Sequence, residues 1–224
     1  MYERIVGEDP TKVPMKIYPA PHYTMGGLWV DYNLMSNIDG LFVLGEANYS
    51  VHGANRLGAN ALLQCLCDGY FISPKTITSW LANNKEIDNR SIDEACKEAL
   101  NYVEKKINAL LKIKGEKPVD YFHRALGEIM ISKCGISRNR NDLKSALEEV
   151  EILSNNFYSN LKIPETNSGL NVELEKALRL EDFIELSILM IKDAIEREES
   201  CGAHFREEYQ TKEGEAKRLS LIHI

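Results

Sequence analysis

The sequence predicts a mainly α protein with a small α+β part, and three observations predict it. Apolar residues recur at helical spacing through most of the chain beyond residue 90. Eight of the 14 glycines and four of the seven prolines lie before residue 70, where short apolar runs alternate with turn signals. At 224 residues and 44% hydrophobic content the chain suffices for one large or two small domains.

The elements follow in order. Pro10, Pro14, Pro19 and Pro21 punctuate the opening. Leu28-Trp29-Val30 and Leu41-Phe42-Val43-Leu44 read as short buried strands, bounded by Gly26-Gly27, Asp39-Gly40 and Gly45. Residues from about Asn60 to Leu81 favour a helix that starts beneath a glycine-bearing loop, with Pro74 expected to kink it or end its first half. Ser91 with Glu94 forms a capping-box pattern, in which each side chain satisfies a backbone donor at a helix start. Behind it Ile92, Cys96, Leu100, Val103, Ile107 and Leu111 form a stripe that seeks partners. A shorter helix is expected over Val119 to Lys133. Leu143, Leu147, Val150, Leu153 and Phe157 supply a second stripe, and Ile184, Ile188, Ile191 and Ile195 a third. Three or four antiparallel helices in a bundle follow, with a loop at Lys162 to Asn171 marked by Pro164, Asn167 and Gly169.

Charge and cysteine content exclude several classes of function. With 27 Lys and Arg against 34 Asp and Glu, the net charge of -7 argues against broad binding to nucleic acid or to anionic lipid, since both need a positive surface. Five scattered cysteines, an odd number in a chain too long to need staples, indicate a reducing, cytoplasmic compartment. The most apolar stretch, Leu186 to Ile191, is too short to cross a bilayer, so membrane contact is expected only through a partner. Cys65 and Cys67, two apart on a helix, face different ways, and no metal site is expected.

Two segments carry the chemistry. His22-Tyr23-Thr24-Met25-Gly26-Gly27 sets an imidazole beside two glycines that let backbone approach a ligand. The run from Gly45 to Leu62 reads as a strand end, a glycine loop with one arginine, and a helix start. A helix N-terminus offers unpaired donors and a positive dipole end, and Ala61 and Leu62 lie there, suited to an anion or a negatively charged reduced ring. Arg56 could grip a carboxylate with two parallel bonds, and Glu46 could accept hydrogen bonds from a ribose or similar polyol. On these residues alone Arg56 serves equally well as the partner of a local acid.

Taken together, the segments resemble the flavoprotein subunit of succinate dehydrogenase and fumarate reductase. The resemblance runs through Val13 to Ala20, His22 to Gly27, Leu28 to Tyr32, Gly40 to Glu46 and His52 to Leu62, and returns at Ser200-Cys201-Gly202-Ala203-His204-Phe205-Arg206-Glu207-Glu208-Tyr209. It implies that His22 and Arg56 bind a carboxylate of a dicarboxylate substrate, that Glu46 contacts FAD, and that Ala61 and Leu62 lie at the helix start beside the flavin pyrimidine ring. Members usually carry serine where Ala61 stands, so a hydroxyl contact is lost while backbone donation survives. The family transfers a hydride between substrate carbon and flavin and passes electrons to an iron–sulfur subunit, then to quinone through a membrane-anchor cytochrome b subunit. That implies a peripheral position on the inner face of the cell membrane. His52, His123 and His204 are expected to be structural.

The resemblance also implies what this chain lacks. No Gly-x-Gly-x-x-Gly fingerprint occurs, and neither the flavin-linking histidine nor the proton-delivering capping-domain arginine has a counterpart, so no catalytic residue is assigned. The expectation is a C-terminal fragment: 1–20 the end of a capping domain, 21–85 a partial FAD-binding domain, and 86–218 a helical domain. Leu219-Ser-Leu-Ile-His223-Ile resembles a translated sequencing adapter and is set aside, His223 included. Two other readings are an L-aspartate oxidase-like flavoenzyme and a non-catalytic helical interaction module. Residues 200–209 favour the succinate family over the first.

Overall fold

The computed structural model describes residues 1–16, 22–49, 52–53, 55–84, 89–164, 169–210 and 212–213, with the backbone alone at 89–91. The adapter-like tail, His223 and residues 17–20 of the family match lie outside the described residues. The chain divides into two compact units, Met1–Trp80 and Leu81–Ile224.

In the first unit, α1 (Tyr2–Val6) ends at Gly7, whose left-handed φ of 79° lets its N–H return to the Glu3 carbonyl at 2.8 Å. The two strands expected at 28–30 and 41–44 are not formed; each contributes one isolated bridge, Leu28 to Asn48 and Met35 to Phe42. The cause is a tight turn between them. Asp31 accepts hydrogen bonds from the Asn33 and Met35 N–H groups at 2.8 and 3.0 Å, and Leu34 sits at φ 63°, so the backbone reverses before a ladder can extend. Only Val30 and Val43 of the two runs are buried, with Leu34, whereas Leu28 and Trp29 are each 57% exposed.

After a 3₁₀ turn at Gly45–Ala47, helix α2 (Asn60–Cys67) passes through a π turn (Asp68–Ile72) into α3 (Ser73–Asn83). The helix therefore continues past Pro74 instead of ending there. Proline lacks an N–H, and the wider π turn just before it accommodates that missing bond.

In the second unit, α4 (Asn89–Leu111) begins two residues ahead of the expected capping serine, and the Ser91 side chain lies outside the described residues. The α4 stripe is a correction. Ile92, Leu100, Val103 and Leu111 are between 41% and 59% exposed, while Leu110 is buried. Periodicity identified the helix correctly and its core face wrongly, because α4 packs against α7 whereas α5, α6 and α7 pack against one another. The next helix, α5, spans Val119–Lys133 as expected. Helices α6 (Arg140–Asn160) and α7 (Val172–Glu196) start at asparagine caps: Asn139 accepts from the Asp142 N–H at 2.9 Å and Asn171 from Leu174 at 3.1 Å. Leu143, Val150, Leu180 and Ile191 meet there around Phe122 and Phe157, whose rings stand edge to face at 5.5 Å.

Two loops fasten this bundle. A Cβ at Gly115 would lie 1.9 Å from the Asn160 carbonyl carbon, an approach that only glycine allows. At the other end, β1 (Ser137–Arg138) pairs in parallel with β2 (Phe205–Arg206). Arg206 is fully buried, and its Nη1 donates to the carbonyls of Ala194, Ile195 and Arg197 at 2.6, 3.3 and 3.3 Å. Those are acceptors that the last turn of α7 leaves unpaired. His204 is buried beside it, with Nδ1 2.8 Å from Arg138 Nη1 and Nε2 donating to the Arg197 carbonyl at 3.2 Å. Among the described residues no helix is long and apolar enough to cross a membrane.

Candidate functional site

The floor of the candidate site is a buried polar cluster in the first unit. Asp68 Oδ2 accepts from the Gly45 N–H at 2.9 Å, from Asn48 Nδ2 at 3.3 Å and from Gln64 Nε2 at 3.5 Å. Gln64 Nε2 also donates to Asn48 Oδ1 at 3.0 Å and to the Gly45 carbonyl at 3.3 Å. Gln64 and Asp68 are one turn apart on the helical run, so one face grips the whole 45–48 turn. Gly45 lies at φ 61° with Cys65 Sγ 2.6 Å from where a Cβ would stand, so a side chain would push the turn off the helix.

The His22–Gly27 segment lies on this turn. Its Thr24 N–H donates to Glu46 Oε1 at 2.7 Å, and the next residue after it, Leu28, donates its N–H to the Ala47 carbonyl at 3.0 Å. A Cβ on Gly27 would fall 2.4 Å from that same carbonyl, which explains the glycine by close backbone approach. Tyr23 then joins the segment to the arginine loop. Its hydroxyl donates to Gln64 Oε1 at 3.0 Å, its ring carries the Arg56 guanidinium at 5.1 Å, and the His52 ring meets it edge to face at 5.4 Å.

Arg56 Nη1 donates to the neighbouring Leu57 carbonyl at 2.9 Å, and among the described residues it forms no ion pair. Just beyond it, Ala59 turns the chain at φ 64° and caps α2 without a side-chain hydrogen bond. The N–H groups of Ala61 and Leu62 fall in that first turn, where helix donors have no partner of their own. Leu57 and Leu62 are 72% and 69% exposed.

Of the residues expected to act, the structure thus gathers Glu46, Arg56 and the α2 start with Ala61 and Leu62 around the His22 segment, and the link runs through Tyr23. His22 itself is exposed. The grouping offers one carboxylate, one cation and a helix start with apolar side chains beside it, a donor set that fits a flavin with a small anion near it. Among the described residues no group of three or more His, Cys, Asp or Glu is placed to hold a metal ion. Sequence reasoning missed the Tyr23, Asn48, Gln64 and Asp68 network. The four-residue spacing of Gln64 and Asp68 on a helix was the available signal, and its partners lie too far along the chain to be inferred from spacing.

Residues 2–62 match the family described as FAD binding domain, and residues 123–219 match the fumarate reductase flavoprotein C-terminal family. The chain is 34% identical over 211 residues to the succinate dehydrogenase flavoprotein subunit of Bacillus subtilis, covering 93% of this chain and 35% of that protein. It is 31% identical to the fumarate reductase flavoprotein subunit of Escherichia coli, covering 90% and 33% respectively. Among solved structures, a quinol–fumarate reductase with menaquinol superposes with a TM-score of 0.81 at 29% identity, covering 99% of this chain and 37% of that one. The Mycobacterium smegmatis Sdh1 complex does so with a TM-score of 0.77 at 26% identity, covering 93% and 34%. The chain belongs to the family of succinate dehydrogenase and fumarate reductase flavoprotein subunits, and it spans about a third of the length of the curated relatives it matches.

Proposed function

We propose that this chain is the C-terminal part of a flavoprotein that interconverts succinate and fumarate. The observation that carries the reading is Arg56: a cation held by an aromatic face and a carbonyl, without a carboxylate partner among the described residues, immediately before the uncapped start of α2. Such an arginine keeps its charge available for a carboxylate, which a guanidinium can clamp with two parallel bonds. His22 is the second substrate contact, and Glu46 with the Ala61 and Leu62 N–H groups holds FAD. FAD, when bound, supplies the hydride acceptor and donor. The residues of this chain contribute binding, orientation and positive potential. The domain division at about residue 85, the iron–sulfur and membrane-anchor partners, and the peripheral position on the inner face of the cell membrane belong to the same proposal.

The test is to express the full-length flavoprotein and measure succinate oxidation with an artificial electron acceptor. Turnover of succinate is expected, and Arg56→Lys should lower kcat/KM by at least about tenfold, because a point charge replaces a fork. Turnover of aspartate in place of succinate, or an unaffected Arg56→Lys variant, overturns the reading. The 224-residue chain alone is expected to purify without stoichiometric flavin.

A further inference from the structure

We infer that Tyr23 is a positioning residue for the dicarboxylate site: its ring holds the Arg56 guanidinium in place, and its hydroxyl ties that ring, through Gln64, to the buried cluster beneath. The inference rests on the proposed substrate role of Arg56. Arginine loses side-chain rotamer entropy when it grips a ligand, and fixing it before the ligand arrives removes that cost from binding. Among the described residues, the loop around Arg56 does little of this fixing. Gly53 and Gly58 flank it, and the hydrogen bond from Nη1 goes to the adjacent residue, so it moves with the loop. The Tyr23 contact is different in kind, because it reaches across 33 residues of sequence.

The chain of support can be followed outward. Asp68, 6% exposed, holds Gly45, Asn48 and Gln64. Gln64, 9% exposed, uses its amide nitrogen on that cluster and its oxygen on the Tyr23 hydroxyl. An aromatic ring is also a fitting support for a ligand-binding cation. A carboxylate in its place would neutralise the charge and occupy the donors that the substrate needs, whereas a ring attracts the cation through its quadrupole and leaves its net charge intact.

The experiment uses the full-length, FAD-loaded flavoprotein and two readouts: the equilibrium affinity for malonate, a dicarboxylate that cannot react, and the KM and kcat for fumarate. Tyr23→Leu should weaken malonate binding by about five- to tenfold and raise KM more than it lowers kcat, as expected for a lost cation–π contact at a half-buried site. Tyr23→Phe keeps the ring and loses the Gln64 bond, and should stay within about threefold of wild type. In an Arg56→Gln background, Tyr23→Leu should change malonate affinity by less than about twofold, because the residue acts through an arginine that is gone. Additive losses in that cycle overturn the inference, and so does a Tyr23→Phe loss as large as that of Tyr23→Leu. Should Tyr23→Leu fail to retain flavin, Tyr23→Met takes its place in the same cycle, with the same expected and overturning outcomes. Malonate binding to wild type with no effect of Tyr23→Leu overturns the positioning role alone; no malonate binding to wild type overturns the dicarboxylate reading with it.

Discussion

The two units bury opposite kinds of group. In residues 1–80 the described buried side chains are Val30, Leu34 and Val43 together with Ser36, Asn48, Gln64 and Asp68, and Leu57, Leu62, Tyr70 and Phe71 are all more than two-thirds exposed. In residues 81–224 a continuous apolar core links α5, α6 and α7, with Phe122, Leu143, Phe157 and Ile191 fully enclosed. Apolar burial is the main driving force of folding, so the second unit carries its own stability, whereas the first is held by directional hydrogen bonds around one carboxylate. The unit with the weaker core is the one that holds the candidate site, and fixed polar geometry is what a binding site needs.

This contrast can be broken most directly by removing a ring. Phe157→Ala should destabilise the cooperative unfolding of the second unit by about 3–5 kcal/mol, read from denaturant melts of the chain, because the cavity lies among packed helices. Val43→Ala should leave that same transition where it is. A second unit that shrugs off Phe157→Ala would mean that its core is not the cooperative one. Next in size, Arg206→Met should cost about 3 kcal/mol, since it strips three carbonyls at the end of α7 of a shared buried donor. Loss of helical signal confined to the last turn of α7 would sharpen the point, and an unchanged melt would count against the capping role.

The smallest effect is a dependence on pH. Burial holds His204 below the ordinary histidine value near 6.5, with Arg197, Arg138 and Arg206 adding repulsion to the cation. The unfolded chain therefore binds the proton more readily, so the contribution of His204 is complete above about pH 6.5 and declines as the pH falls below it. Melts at pH 7 and pH 5 should differ in that direction, and His204→Gln should flatten the difference. Equal slopes in the two proteins would show that other groups set the acid response.

How legible each part was in the sequence follows from the same contrast. The α5, α6 and α7 stripes were readable because each helix buries one face, and the bounds of α5 matched to the residue. The α4 stripe misled, since residues such as Leu100 and Val103 repeat at helical spacing yet remain exposed. Periodicity reports that a face is apolar, and it does not report what covers that face. The short runs at 28–30 and 41–44 misled for another reason: strand pairing depends on the turn between them, and the Asp31 turn is a local polar effect that hydrophobic pattern ignores. At the candidate site, the residues proposed to face the ligand were visible as glycine, histidine and arginine motifs. Their support was not, because Tyr23 reaches Gln64 across 41 residues of sequence and Asp68 reaches Gly45 across 23.

The capping of α7 by Arg206 has a consequence for how the chain is made. A ribosome delivers α7 before it delivers the arginine that completes it, and β2 closes on a strand laid down before α6. The bundle can gather its helices as they emerge, but its far end stays unlatched until residue 206 is free of the exit tunnel. Premature termination between residues 197 and 205 would therefore leave helices α1 to α7 present and the last turn of α7 unfastened, with its carbonyls open.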